Sequence, residues 1–271
     1  MTDRGIIYLD IGWRHQCVAA ISLFTLRKHW QGPVTIFTDA QGSAIAGQIA
    51  AAANADLQLF DTGGHRAYTA KPMLPKLSPY ATTIQCDTDT IWRGSPEPYF
   101  DLATPIGMVV TQFGEWVSIG PKMRGRIEGW RQVDPERTVK SLEKAWPAIN
   151  TGVVAYGTES IVARKVWLEQ TLKNARAFMS DELAIQLLVP EYVDRPDLLR
   201  VVDDEFNCCP RFGRRIADAK VIHFHGHGKL DRLPQYRTAW EPLFREAWAC
   251  DFAGIRSWVR QGAKGWVNSF L

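Results

Sequence analysis

The sequence predicts an α/β fold, with a mainly parallel central sheet and helices on both faces. Two observations carry this. Short apolar runs alternate with helix-length segments from the start of the chain, the pattern of a wound parallel sheet. Three of those runs end in an acid, at Asp10, Asp39 and Asp87. Open α/β sheets bind ligands beyond the carboxyl ends of their strands, so these acids fall on the functional edge. The chain has 271 residues, and at roughly 100–200 residues per domain that allows one large domain or two small ones. No internal repeat, low-complexity tract or linker divides it, so one domain over 1–271 is expected.

The elements follow in order. Ile6–Asp10 is a short apolar run and reads as a buried strand. Val18, Ile21, Leu23, Leu26 and Trp30 carry helical spacing over Arg14–Trp30, and Gly32-Pro33 stops it. Val34–Thr38 is a second strand. Ser43–Asn54 is Ala-rich and helical, with Ser43 as its N-cap. Leu57–Phe60 and Thr82–Cys86 continue the sheet, and Ile106–Thr111 and Gly152–Tyr156 add strands. Residues 113–147 are polar and basic (Lys122, Arg124, Arg126, Arg131) and read as an irregular insertion, either a lid or a solvated excursion. Ser160–Phe178 and Asp181–Val189 read as helices and Val221–Phe224 as a late strand. Thr238–Cys250 and Ile255–Val259 make 238–271 a helical C-terminal part.

Composition removes several classes. With 46% apolar and 23% charged residues, the chain is neither disordered nor fibrous. A net charge of +3, without a clustered basic face, gives no nucleic-acid footprint. No apolar run approaches the ~20 residues that span a bilayer, and Met1–Gly5 begins no signal peptide. The five cysteines are odd in number and lack a Cys-x-x-Cys spacing, which fits a reducing, cytoplasmic setting rather than a disulfide framework or zinc ribbon. Eleven tryptophans are many for this length and suit a site that stacks flat or sugar-like ligands.

Two motifs carry chemistry. In Gln85-Cys86-Asp87-Thr88-Asp89, an extended backbone puts Asp87 and Asp89 on one face. Two adjacent carboxylates repel unless a cation lies between them, and hard oxygen ligands suit Mg²⁺ or Mn²⁺. The second motif is His223-Phe224-His225-Gly226-His227-Gly228-Lys229, directly after an apolar strand. His223 offers a nitrogen to the same metal. Gly226 and Gly228 let backbone N–H groups approach a phosphate, and Lys229 adds a point charge. A surface histidine-rich turn would read the same way.

With these residues in order, the chain resembles the glycogenin-like family 8 class of GT-A glycosyltransferases, which includes bacterial lipopolysaccharide galactosyltransferases. The opening strand with Asp10 and Trp13 is similar to the family segment that holds the nucleotide base. Asp87-Thr88-Asp89 is similar to its metal-binding Asp-x-Asp, and Ala148–Val153 to its Asn-x-Gly-Val. His223–Lys229 is similar to its His-Phe-x-Gly-x-x-Lys. The resemblance spans Ile6 to about Lys229 and implies a GT-A fold and sugar transfer from a nucleoside diphosphate, UDP above others, to an acceptor hydroxyl with retention. It implies that Asp87, Asp89 and His223 ligate Mn²⁺ or Mg²⁺ and that Gly226 and Lys229 contact the diphosphate. Lys71 would reach the donor sugar or phosphate, Asp10 the base or ribose, and Trp13 would stack on the base. Asn150 would touch the donor sugar, and Asp181 and Glu182 would lie beside sugar and acceptor as catalytic candidates.

Departures from the pattern are local. Glu182 stands where the family shows Gln, and would act as nucleophile or base or be a solvated acid at a helix start. Leu230-Asp231 replaces Pro-Trp. Arg256–Phe270 loosely echoes the family's basic-aromatic tail, which makes peripheral membrane contact. A bacterial member fits, because the chain shows no anchor. Three rival readings stand beside the transferase: a silent nucleotide-sugar binder, a zinc-dependent hydrolase using His223, His225 and His227, and a nucleotidyltransferase. The last is disfavoured because Asp10-Ile11-Gly12-Trp13-Arg14 is no glycine-rich phosphate loop.

Overall fold

A computed structural model of the chain describes residues 2–12, 16–112, 121–210, 217–224 and 234–260. The strands are β1 (Thr2–Asp10), β2 (Val34–Thr38), β3 (Asp56–Leu59), β4 (Tyr80–Cys86), β5 (Thr90–Trp92), β6 (Met108–Gln112), β7 (Ile149–Gly157), β8 (Leu199–Val202) and β9 (Val221–His223). The helices are α1 (Gln16–Leu26), α2 (Ser43–Ala52), α3 (Ala67–Ala70), α4 (Glu97–Phe100), α5 (Pro121–Glu128), α6 (Pro135–Glu143), α7 (Trp167–Lys173), α8 (Ser180–Tyr192), α9 (Pro234–Ala249) and α10 (Ile255–Arg260).

Seven strands form one sheet in the order β3-β2-β1-β4-β7-β6-β8, and β5 pairs with β9 in a separate two-stranded sheet. β3, β2, β1 and β4 run parallel, as do β6 and β8; β7 is antiparallel to both its neighbours. This is the predicted α/β class with one reversed strand. The reversal places the site. Cys86 lies opposite Val153, so the start of β7 meets the carboxyl end of β4. Asn150 and Thr151 therefore share an edge with Asp87 and Asp10.

β7 is buried along its whole length, and its side chains alternate between the sheet's faces. Val153 and Ala155 join Ile6, Tyr8 and Ile84 under α1, α2 and α9. Val154 and Tyr156 join Met108 and Val110 under α5, α7 and α8. Each buried aliphatic side chain contributes about 1.5–3 kcal/mol, and these two faces hold most of the core.

Several expectations change. α1 stops at Leu26, short of Trp30: a turn closes it, with His29 N (2.8 Å) and Trp30 N (2.9 Å) both donating to Leu26 O. The Arg27 guanidinium then ties down the loops beyond the helices, donating to Gly32 O (2.7 Å), Trp30 O (3.1 Å) and Asn54 O (2.8 Å). Ser43 is not the N-cap of α2; Gly42 holds that place, and its N–H donates to Asp39 Oδ1 at 2.7 Å. The 113–147 stretch is not irregular where described. It contains α5 and α6, with Met123, Ile127 and Trp130 buried against the sheet and Asp134 capping α6. The helix expected over Ser160–Phe178 is a wide turn at Val162–Val166 followed by α7, ending at Lys173. β5 and β8 lie outside the expected strands, and the late strand joins β5 instead of the main sheet. No helix among the described residues is long and apolar enough to cross a membrane.

Candidate functional site

The edge formed by the ends of β4, β7 and β9 gathers most of the candidate residues. Asp87 follows β4, and its N–H donates to Gly152 O at 2.7 Å. Thr90 Oγ1 donates to Asp87 O at 2.9 Å and closes the turn into β5. β5 pairs Thr90 with His223, and Phe224 N donates to Asp89 O at 2.9 Å. The histidine is thus brought to the acids by a strand pair. His223 Nε2 lies 3.1 Å from Asp89 Oδ1 and 3.8 Å from Asp87 Oδ2. One ligand atom from each of the three residues falls within 4.8 Å of the others.

The other ring nitrogen identifies the tautomer. Nδ1 is 2.7 Å from Asn207 Oδ1 and 3.1 Å from Asn150 Oδ1. Both are oxygens by their own bonding: Asn150 Oδ1 accepts from Gly152 N (2.9 Å) and from Asn207 Nδ2 (2.6 Å), and Asn207 Nδ2 donates to Thr111 Oγ1 (2.7 Å). The network therefore assigns a proton to Nδ1 and turns Nε2 towards the carboxylate oxygens. A bound cation among the three would offset the repulsion between the two acids. Two carboxylates and an imidazole, oriented by amide oxygens behind the ring, fit a divalent metal ion. Gly152 packs under this ring, and a methyl group there would collide with His223.

Lys71 lies on the other side of Asp87. Its Nζ is 2.8 Å from Asp87 Oδ1, 3.0 Å from Asp181 Oδ2 and 3.3 Å from Thr151 O. Burial disfavours its charge, but Asp181 and Asp87 outweigh that and hold the ammonium above the ordinary lysine range. Burial raises Asp87, and Lys71 pulls it back. Asp181 opens α8, accepts from Thr151 Oγ1 at 2.9 Å, and its carbonyl accepts from Trp167 Nε1 at 2.8 Å.

Glu182 is not a solvated acid: it is 2% exposed. Oε2 accepts from Asn150 Nδ2 at 3.0 Å, and Oε1 has no hydrogen-bond partner among the described residues. Burial, with help from Asp181, pushes its carboxyl up to about 8. The amide of Asn150, expected on the donor sugar, is engaged by Gly152, Asn207, His223 and Glu182. Asp10 lies one strand over on the same edge. It is 1% exposed, and neither of its oxygens has a partner among the described residues. Burial and then Asp39 push it up to about 7.

The structure thus brings together Lys71, Asp87, Asp89, Asn150, Asp181, Glu182 and His223. Trp13, His225, Gly226, His227 and Lys229 lie outside the described residues. Sequence reasoning missed Asn207 and Thr151. No motif in the sequence marks Asn207.

No family model and no curated protein matches the chain. Solved structures do. Mouse xyloside xylosyltransferase 1 in its apo form superposes with a TM-score of 0.58 at 12% identity, covering 83% of this chain and 98% of that one. The galactosyltransferase LgtC, in complex with donor and acceptor sugar analogues, gives 0.59 at 15% identity, covering 92% of this chain and 95% of that one. The bifunctional glycosyltransferase WbbM gives 0.60 at 11% identity over 90% of this chain, which spans 50% of WbbM. At such identities the likeness concerns the fold. The chain has the GT-A fold of these glycosyltransferases, and at the edge of its sheet lies an Asp-Asp-His group able to hold a metal ion.

Proposed function

We propose that the chain is a metal-dependent glycosyltransferase. It transfers a sugar from a nucleoside diphosphate, UDP above others, to an acceptor hydroxyl with retention at the anomeric carbon. The observation that carries this reading is the Asp87–Asp89–His223 group, with the His223 tautomer held by Asn207 and Asn150 at the edge of a GT-A sheet. A bound Mn²⁺ or Mg²⁺ would neutralise charge on a diphosphate leaving group.

The protein's own residues have separate tasks. Asp10, a buried carboxyl without a hydrogen-bond partner among the described residues, accepts from the nucleoside, with Trp13 stacking on the base; Gly226 and Lys229 contact the diphosphate. Lys71 is a preorganised charge between Asp87 and Asp181, set where negative charge develops on the departing group. Asp181 faces the donor sugar. Asn150 is a positioning residue: it orients His223 on one side and Glu182 on the other. Glu182, kept neutral by its surroundings, hydrogen-bonds as an amide would. The whole chain serves this one site as a single domain, in the reducing cytoplasm that its odd number of cysteines suits.

A thermal-shift panel of UDP, GDP, CDP and ADP, each with and without Mn²⁺, tests this reading. A ligand at 100 times its Kd stabilises by roughly 2.7 kcal/mol, or several degrees at roughly 2–4 °C per kcal/mol. The expected result is a shift for one nucleotide that needs Mn²⁺ and vanishes in Asp89→Ala. No shift for any nucleotide, or one indifferent to both metal and Asp89, would overturn it.

A further inference from the structure

Beside this site the surface carries an aromatic pair that no role above uses. Phe178 is 62% exposed, and its ring meets Tyr68 edge to face, with centroids 6.1 Å apart at 71°. Two arginines flank the pair. The Arg126 guanidinium lies 5.2 Å from the Phe178 ring centroid, and Arg66 Nη1 donates to the Tyr68 hydroxyl at 2.8 Å. Neither arginine forms an ion pair among the described residues, whereas Arg131, Arg137, Arg195 and Arg245 each do. The patch is therefore both apolar and positive.

It also adjoins the site. Tyr68 and Lys71 are three residues apart in helical backbone, α3 running into the turn at Lys71–Lys76, so they share a face. Phe178 precedes Met179, whose backbone is left-handed (φ 58°, ψ 46°), and Asp181 follows two residues later. A non-glycine residue held there costs on the order of 1–3 kcal/mol and marks a constrained turn. This turn separates an outward ring from an inward carboxyl. Arg126 also donates to the Met179 sulfur at 3.2 Å, and its charge reaches the Glu182 carboxyl. Thr69 ties the two segments together: its Oγ1 donates to Ala175 O at 3.0 Å and lies 3.2 Å from Ser180 Oγ.

We propose that Tyr68 and Phe178, flanked by Arg66 and Arg126, form a subsite for an acceptor sugar that carries an anionic group, a phosphate or a carboxylate. An aromatic face packs against the apolar C–H face of a sugar ring. The guanidinium fork matches a planar carboxylate or a phosphate in a way a lysine would not. The proposal rests on the transferase reading for calling the sugar an acceptor.

The test is a saturation-transfer NMR titration of the full chain with glucose, glucuronic acid and glucose 6-phosphate, without nucleotide. At least one anionic sugar is expected to bind about tenfold tighter than glucose. Phe178→Ala should weaken that sugar about tenfold, Tyr68→Ala should weaken it as well, and Arg126→Gln should reduce it to the level of glucose. Which anionic sugar binds better names the anion as carboxylate or phosphate. Binding of none of the three, equal binding of charged and neutral sugars, or no loss in Phe178→Ala overturns the proposal. The Mn²⁺-dependent nucleotide shift is read on the same samples. Its persistence alongside a failed sugar result faults the subsite alone, and its absence from the unmodified chain alongside a positive sugar result faults the transferase reading, and with it the sugar's role as acceptor, while the anionic-sugar site stands.

Discussion

Among single residues, Asn207 and Glu182 carry the sharpest consequences. Asn207 touches no candidate ligand atom, yet its amide oxygen fixes which nitrogen of His223 is protonated. Losing such an outer partner typically costs 10–100-fold in metal affinity. Asn207→Ala should therefore weaken Mn²⁺ binding by about that factor while the chain stays folded, as read by electron paramagnetic resonance titration; unchanged affinity would remove Asn207 from the site. Glu182 predicts a pH dependence. Its folded carboxyl titrates near 8, above the unfolded value of about 4.3, so between these values the native state binds more protons than the unfolded one. Stability contributed by this group thus falls as pH rises from about 4 to 8 and levels off beyond. Glu182→Gln, neutral throughout, should melt higher than the parent chain at pH 9, with the gap closing towards pH 4. A gap that did not vary with pH would show that Glu182 is not a buried neutral acid.

Elements decide how such residues meet. The β5–β9 pair carries His223 to Asp89, and β7 supplies Gly152 as the floor beneath the imidazole. Gly152→Ala should push the ring away and abolish the Mn²⁺-dependent nucleotide shift with little loss in melting temperature; a retained shift would mean the ring has room to move. The α5–α6 segment is a different case. Met123, Ile127 and Trp130 fall at i, i+4 and i+7, a helical face. The surrounding lysines and arginines dominate the local composition and hide that face, so the stretch reads as a polar excursion. Once folded it packs like core. Trp130→Ala should cost about 3–5 kcal/mol and lower the melting temperature by roughly 10 °C, at about 2–4 °C per kcal/mol for this chain length. A change of only a degree or two, by calorimetry, would make α5 a loosely held cover instead.

Across the whole molecule, the electrostatics of one sheet edge dominate. Parallel strands deliver Asp10, Asp39 and Asp87 to the same side, and the reversed β7 adds Asn150 and Thr151. Asp87 and Asp89 stand together there, with Lys71 balancing only the former. A divalent ion should relieve their repulsion, so Mn²⁺ alone should raise the melting temperature by a few degrees. Asp89→Asn should erase that gain. Equal stabilisation of both forms would place the ion elsewhere.

The amino-acid pattern alone is enough for seven of the nine described strands, for the strand ends that carry acids, and for the candidate set of Asp87, Asp89, His223 and Lys71. Those are local signals: apolar periodicity, a carboxylate pair at i and i+2, a histidine after an apolar run. Only the tertiary structure decided that β7 runs backwards, that β9 pairs with β5, and that Asn207 orients His223. It also decided that Glu182 is buried and that Tyr68 and Phe178 meet across more than a hundred residues of chain. The reason is physical. Propensity and periodicity act within a few residues, whereas strand pairing, burial and the partner of a polar atom depend on which distant segments the core brings together.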